Sequence, residues 1–462
     1  MTNKYIIFVF CALISVSAMS QPSAQNENEP LETVYQKKAF ELFSQLMEEE
    51  NIPANICFSP LSVQMAMSMV QNGAAGNTLS QMQDALGTKG YSNDEVNAFN
   101  QKLVETVTYR PPYTYNPKEQ WLTEEQQRGN YEAAYPICEM ANGVWTRPGT
   151  TWHEQFLQTL LDSYKAGGGC VDFTTQEGID EINGWVNDKT HELIPKVFDE
   201  PLSEDLAMVL ANALYFKGSW SIPFQSYLTK AGIFHNSDGT DVETDMMRVI
   251  DKFHVGKTKK YLTLQLFYGE RDFSMTIFLP IESTTLPDLT YDEWKQAFDN
   301  KGNTTYTDLQ MPSFVVEGNY NLNGVLIRMG MEHAFNPLLA DFSNMRDEPL
   351  FIGKVFQCSK IAVDENGTEA AAVTVVEMYD NMAPADPEKL TIDRPFYFTI
   401  ENRYTGSVLF VGRVNQLQGT ASITPLVREK QPEAIYDLQG RRITSTPQQG
   451  IYIRNGKKVV VK

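Results

Sequence analysis

The chain has 462 residues, 42% hydrophobic and 21% charged, which excludes a disordered or fibrous protein and supplies a sizeable core. A formal net charge of −20, with no cluster of Lys and Arg, excludes a nucleic-acid-binding surface, because phosphate contacts need grouped cations. Length alone would suggest about two or three domains, yet no Gly/Ser/Pro-rich linker divides residues 30–415, so one large domain is expected.

Residues 1–20 read as an export signal. Lys4 supplies the positive charge, Tyr5–Ala18 the apolar run, and Ala18-Met19-Ser20 the small residues of a cleavage site. The run is shorter than the roughly 20 residues of a membrane-spanning helix, and Phe8-Val9-Phe10 before Cys11 matches a lipid-attachment site poorly. Residues 21–30 are polar, an expected disordered lead-in. The mature protein is therefore expected outside the cell, secreted or on the cell surface. Cys57, Cys138, Cys170 and Cys358 remain after cleavage; sequence cannot choose a pairing. The apolar settings "NICFSP" and "YPICEM" suit buried free thiols at least as well as disulfides.

The body opens on a helical pattern in which Val34, Phe40, Phe43, Leu46 and Met47 share a face. After the short strand "NICF", Ser59 and Pro60 read as N-cap and first residue of a second helix, with Met65, Met67 and Met69 as core packing. "NGAAGNTLSQMQDALG" predicts a glycine turn and a helix ending at Gly87. Residues 110–130, "RPPYTYNPKEQWLTEEQQRGN", break the pattern with three prolines and several aromatics. They are a surface insertion, either a partner-binding loop or, the preferred reading, a plain excursion. Helical spacing returns at "HEQFLQTLLDS" and "GIDEINGWVNDKTHELI", and Gly167-Gly168-Gly169 between them is read as a flexible loop. "AMVLANALYF" suits a sheet strand buried on both faces. Residues 242–290 hold short alternating runs, and "PFYFTIENRYTGSVLFVGRV" is a hairpin turning at Thr405-Gly406. Helices and strands do not alternate regularly, which predicts the α+β class.

Nothing points to catalysis. His153, His191, His235, His254 and His333 form no HExxH, and there is no CxxC, GxSxG or GxxxxGK[ST]. No metal or cofactor is expected.

Six stretches, in order, resemble the motifs of the serpin family over residues 31–417. They are "NICFSPLSVQMAMSMVQNGAAGNTLSQM", "INGWVNDKTHELI", "VLANALYFKGSWSIPF", "MPSFVVEGNYNLNGVLIRMGMEHAF" followed by "ADFS", "VDENGTEAAAVT", and "RPFYFTI" with "GSVLFVGRV". Any one would be weak; six in order are specific. The resemblance implies a large, mostly antiparallel central sheet, surrounding helices and an exposed reactive-centre loop. It implies a monomeric suicide inhibitor of extracellular endopeptidases, not an enzyme. A serine protease, or alternatively a cysteine protease, would attack the loop and form a covalent 1:1 complex. The cleaved loop would then insert into the sheet and trap the acyl-enzyme. The alternative is a non-inhibitory binding or storage protein of the same fold.

The resemblance puts the hinge of that loop at Glu365, Gly367, Thr368, Glu369, Ala370, Ala371, Ala372, Val373 and Thr374. Counting Glu365 as the seventeenth residue before the scissile bond gives Asn381–Met382, with Met378 and Tyr379 as rival specificity residues. Met378 and Tyr379 would suit chymotrypsin-like, elastase-like or papain-like pockets, and Asn381 an asparagine-directed enzyme. Read as a strand, the segment has two faces. Thr368, Ala370, Ala372, Thr374 and Val376 are small or apolar, whereas Glu369, Ala371, Val373, Val375 and Glu377 carry the charge. The polar cluster where the family's strands part maps to Ser59, Ser62 and Asn212, with Trp220 at the upper end. The chain departs from the family at Gln357, where His is usual; an amide still donates and accepts, but a histidine's pH dependence is lost. The region that binds glycosaminoglycan in some relatives falls near 105–130 and carries only Arg110, Lys118 and Arg128, so no heparin-like partner is expected.

Residues 418–462 lie beyond this body. "YDLQGRR", "GIYI" and "GKKVVVK" resemble the C-terminal sorting tails of the type IX secretion pathway of Gram-negative bacteria. Residue by residue they read as three short strands with turns at Gly440, Gly450 and Asn455-Gly456.

Overall fold

The computed structural model describes residues 28–119, 121–203, 206, 208–281, 286–300, 304–368 and 386–419, with backbone alone at 210 and 211 and in the tail strands. Glu369, Ala370, Ala371, Ala372, Val373, Thr374, Met378, Tyr379 and the Asn381–Met382 bond lie outside the described residues, as does the export segment.

In chain order the N-terminal half forms α1 (Leu31–Met47), β1 (Ile56–Phe58), α2 (Pro60–Gln71), α3 (Gly76–Leu86), α4 (Asn93–Val107), α5 (Glu124–Ala134), β2 (Ile137–Thr146), α6 (Glu154–Tyr164), β3 (Gly167–Cys170), α7 (Gln176–Lys189) and β4 (Met208–Ser219). There follow β5 (Lys230–His235), β6 (Asp241–Lys257), β7 (Tyr261–Tyr268), β8 (Phe273–Pro280), α8 (Tyr291–Phe298), β9 (Thr305–Pro312), β10 (Phe314–Asn321), α9 (Asn323–Arg328) and α10 (Glu332–Phe335). The last part is β11 (Phe356–Val363), β12 (Gly367–Thr368), β13 (Glu388–Thr391), β14 (Phe396–Asn402) and β15 (Val408–Val414). The tail adds β16 (Ile435–Tyr436), β17 (Arg442–Ile443), β18 (Gly450–Arg454) and β19 (Lys457–Val461), four strands where three are predicted.

Two large sheets carry the body. One runs β1-β15-β14-β8-β7-β6-β9-β13, with β5 also on β6; the other runs β10-β11-β12-β4-β2-β3. Helix α2 contacts β15 of the first and β4 of the second. All of its residues but Ala66 are buried, which is why its sequence is apolar nearly all round. Ser59 caps it, accepting the Ser62 N–H at 3.3 Å, with Pro60 in the first turn. Strand β4 is buried on both faces, as its sequence predicts. Leu214 and Phe216 enter the main core, while Val209 packs with Trp145, Ile179 and Ile182 beneath α7.

Four expectations change. Gly167-Gly168-Gly169 is not a loop but most of β3, an edge strand parallel to β2. A Cβ on Gly168 would lie 1.8 Å from the Val144 carbonyl oxygen, so close backbone approach demands glycine in a strand. The 110–130 insertion is not structureless, because Thr123 and Gln126 form a capping box that starts α5. Helix α7 stops at Lys189, short of "THELI", and His191 and Glu192 follow at φ of +51° and +68°. The end of the expected lead-in is tied down: Asn28 donates to the Gly90 carbonyl at 2.9 Å, and Tyr91 donates to that of Glu29 at 2.6 Å. Cys57, Cys138, Cys170 and Cys358 are free. Burial pushes the Cys57 and Cys138 thiols up to about 12 and Cys358 to about 11, which leaves them unreactive.

Candidate functional site

The site lies where β11 turns into β12 and β12 enters between β11 and β4. Thr368 pairs with Val363 of β11 and with Gly218 of β4, and Gly367 pairs with Ser219, both ladders antiparallel. Among the described residues β4 and β11 share no ladder of their own. These strands and the segments leading into them instead line two adjoining cavities of about 80 and 50 Å³, with Leu206, Met208, Asn212, Lys354 and Phe356 common to both.

The turn into β12 is held by both backbone and side-chain hydrogen bonds. Trp220 donates its N–H to the Asn366 carbonyl at 2.8 Å and its indole Nε1–H to the Asp364 carbonyl at 3.0 Å. Asp364 in turn accepts the N–H groups of Asn366 and Gly367 at 2.7 and 3.1 Å. Burial raises the Asp364 carboxyl, and those two N–H groups oppose the rise. Glu365 is anchored at both ends: its carbonyl accepts from Phe224 N–H at 2.9 Å, its carboxylate from Thr229 Oγ1 at 2.8 Å. A Cβ at Gly367 would lie 2.0 Å from the Gly218 carbonyl oxygen. Only glycine passes there.

Thr368 is fully buried, and its Oγ1 shares a 2.6 Å hydrogen bond with the Tyr268 hydroxyl. The Tyr268 ring stacks on Trp220 at 4.4 Å. Thr368 therefore faces the core. Tyr268 is a contact of Thr368 that the sequence alone does not reveal. Its partner lies 100 residues away, and no local pattern announces such a pair.

Lower down, the structure brings together Ser59, Ser62, Asn212 and Gln357. Ser62 Oγ donates to Asn212 Oδ1, and Gln357 Nε2 donates to the Ser59 carbonyl at 2.9 Å. Asn212 continues the network, donating to Asn142 Oδ1 at 2.6 Å; Asn142 donates to the Tyr164 carbonyl at 2.8 Å, and the Tyr164 hydroxyl donates to Asn97 Oδ1 at 2.8 Å. Asn142, Tyr164 and Asn97 are absent from the sequence reading, since nothing local marks an asparagine as part of a buried chain. The amide at 357 is half-used: its Oε1 is buried with no hydrogen-bond partner among the described residues. Gln357, Ser62 and Asn212 all line the larger cavity.

The chain matches the family model "Serpin (serine protease inhibitor)" over residues 34–417. A serpin-like protein of Methanosarcina acetivorans is 30% identical, over 81% of this chain and 83% of its own length. The native crystal structure of the thermophilic serpin tengpin is 25% identical with a TM-score of 0.71, over 85% of this chain and 96% of that one. Human thyroxine-binding globulin, solved with its thyroxine ligand, has the same TM-score of 0.71 at 23% identity, over 84% and 98%, a likeness of fold alone. Members of the family are protease inhibitors or binding proteins rather than catalysts. With the fold, β12 entering between β4 and β11 and the match over nearly the whole body, the chain belongs to the serpin family.

Proposed function

We propose that the protein is an irreversible, suicide-substrate inhibitor of extracellular endopeptidases. The observation that carries this is the register of β12. Continuing its two ladders one residue at a time would bring Ala370 level with Phe216 and Ile361, Ala372 with Leu214 and Ser359, and Thr374 with Asn212 and Gln357. Each of these partners apart from half-exposed Asn212 is buried, and each arriving side chain is small. The Thr374 hydroxyl would meet the orphaned Gln357 Oε1, a donor for an acceptor that lacks one. About ten new ladder bonds at roughly 0.5–1.5 kcal/mol each give a drive on the order of 10 kcal/mol, enough for a one-way trap.

The attacked bond in this reading is Asn381–Met382, with Met378 and Tyr379 as rivals, and the partner is a serine or cysteine protease held 1:1. The absence of Arg and Lys around these residues turns the proposal away from trypsin-like targets. Export by the N-terminal segment, and sorting through residues 418–462 to the cell surface or medium, complete the proposal. Fractionation of cells expressing the chain with and without residues 418–462 tests the tail.

Thermal unfolding before and after limited proteolysis of the loop tests insertion. The nicked protein is expected to melt well above the intact one. An unchanged melting temperature would favour a non-inhibitory binder of the same fold.

A further inference from the structure

Where α4 ends against two turns of the first sheet lies an open cleft of about 320 Å³, which shares no lining residue with the cavities beside β12. Small-molecule sites begin at about this size. Buried Phe273, at the start of β8, supplies apolar surface to it. Tyr109, just beyond α4, and Tyr404, in the β14–β15 turn, line it too, and their rings are 71% and 75% exposed. Tyr404 is braced: its hydroxyl donates to Asp272 Oδ1 at 2.9 Å, and the neighbouring Arg403 N–H donates to the Asp272 carbonyl at 2.8 Å. Its ring is thus held in place before anything binds.

The lining is negative. Asp272 of the β7–β8 turn and Glu105 of α4 set two carboxylates against one ammonium, that of Lys102. The last turn of α4 holds no basic residue, so the negative end of the helix dipole adds to the carboxylates. A donor is also left over. Asn402, 2% exposed, lines the cleft. Its Oδ1 is committed to the turn, accepting the Tyr404 and Thr405 N–H groups at 3.0 Å each and Thr405 Oγ1 at 3.1 Å. Those donors fix which end of the amide faces the turn. Among the described residues Nδ2 donates to nothing, which leaves its two N–H groups for a partner in the cleft.

These groups describe one kind of molecule. It is positive, to sit between the carboxylates; it bears methyl or methylene groups, to lie on the rings; and it has an acceptor for Asn402. No group of three or more His, Cys, Asp and Glu among the described residues could hold a metal ion, and aromatic walls suit an organic cation. We propose that the cleft binds a small organic ammonium ion of the choline class, its ammonium on Tyr109 and Tyr404 between Glu105 and Asp272, its hydroxyl accepting from Asn402 Nδ2. The site is separate from the loop and stands whether or not the protein traps a protease.

The test uses the full chain and choline itself. Saturation transfer from the protein to the choline methyl protons reads binding, and a titration gives the affinity. The uncharged isostere 3,3-dimethylbutan-1-ol is expected to bind about tenfold more weakly. Tetramethylammonium, which lacks the hydroxyl, is expected to bind several-fold more weakly. A net charge of −20 attracts any cation to some degree, so the deciding variant leaves the charge alone. Tyr109→Ala with Tyr404→Ala is expected to lower choline affinity about 4–25-fold, from two exposed cation–π contacts of about 2–5-fold each. Should that pair fail to fold, Tyr109→Ala by itself is expected to cost about 2–5-fold. Absence of transfer to choline, equal binding of its isostere, or an affinity unchanged in the tyrosine variants would overturn the proposal. Tetramethylammonium binding as tightly as choline would overturn the part assigned to Asn402.

Discussion

Replacing Thr374 by Val keeps the side chain's shape and removes its hydroxyl. If the cleaved loop inserts as proposed, continuing the β12 register would bring this residue level with Asn212 and Gln357. Gln357 Oε1 is a buried acceptor with no partner among the described residues. Satisfying such an acceptor is worth about 1–2 kcal/mol, between the net value of an ordinary hydrogen bond and the full cost of leaving a buried group unpaired. Thr374→Val should therefore lower the stability of the loop-cleaved form by about 1–2 kcal/mol and leave the intact form within about 0.5 kcal/mol of wild type. That is a minor part of a drive on the order of 10 kcal/mol, so trapping should slow without being abolished. Denaturant unfolding of both forms measures the difference. In a Gln357→Leu background, which removes the acceptor, the same substitution should cost nothing further. Equal losses in intact and cleaved protein, or full additivity of the two changes, would refute the register argument.

Ala372→Arg should turn inhibitor into substrate, because insertion would force a charge between Leu214 and Ser359; cleavage should persist while the moles of inhibitor consumed per protease rise steeply. Gly367→Ala should push the hinge out of the sheet, since its Cβ would sit 2.0 Å from the Gly218 carbonyl; faster amide exchange at Thr368 is the readout. Arg248 holds Asp308 with two hydrogen bonds of 2.7 and 2.8 Å, and its guanidinium keeps that carboxyl below its usual range. This contribution is present above about pH 3.9 and is lost as pH falls through the lower folded value. Arg248→Met should thus cost about 3 kcal/mol at neutral pH, and the two unfolding curves should converge in strong acid.

Much of the fold is legible in the chain because its patterns are local. The apolar run of β4, the Ser59-Pro60 start of α2 and the β14–β15 hairpin each follow from a few adjacent residues. Of the two faces that a strand's period of two sorts over 368–377, only Thr368 lies among the described residues, and it is buried. What escapes depends on distant partners or on backbone proximity. β3 needs glycine at 168 because the Val144 carbonyl lies against it, a fact no glycine run announces. Tyr268, Asn142 and Tyr164 matter through partners on other elements. Gln357 reads as a substitute for His, but its half-satisfied state emerges only when Ser59 and Asn212 are placed around it.

In the proposed inhibitor, cleavage and trapping are one event. Incubating the mature protein with a panel of serine and cysteine proteases, then running denaturing gels, tests it directly. A band at the summed mass that survives boiling in detergent is expected, together with a released C-terminal peptide beginning at Met382. Proteases that nick the loop, remain active and leave no such band would contradict it.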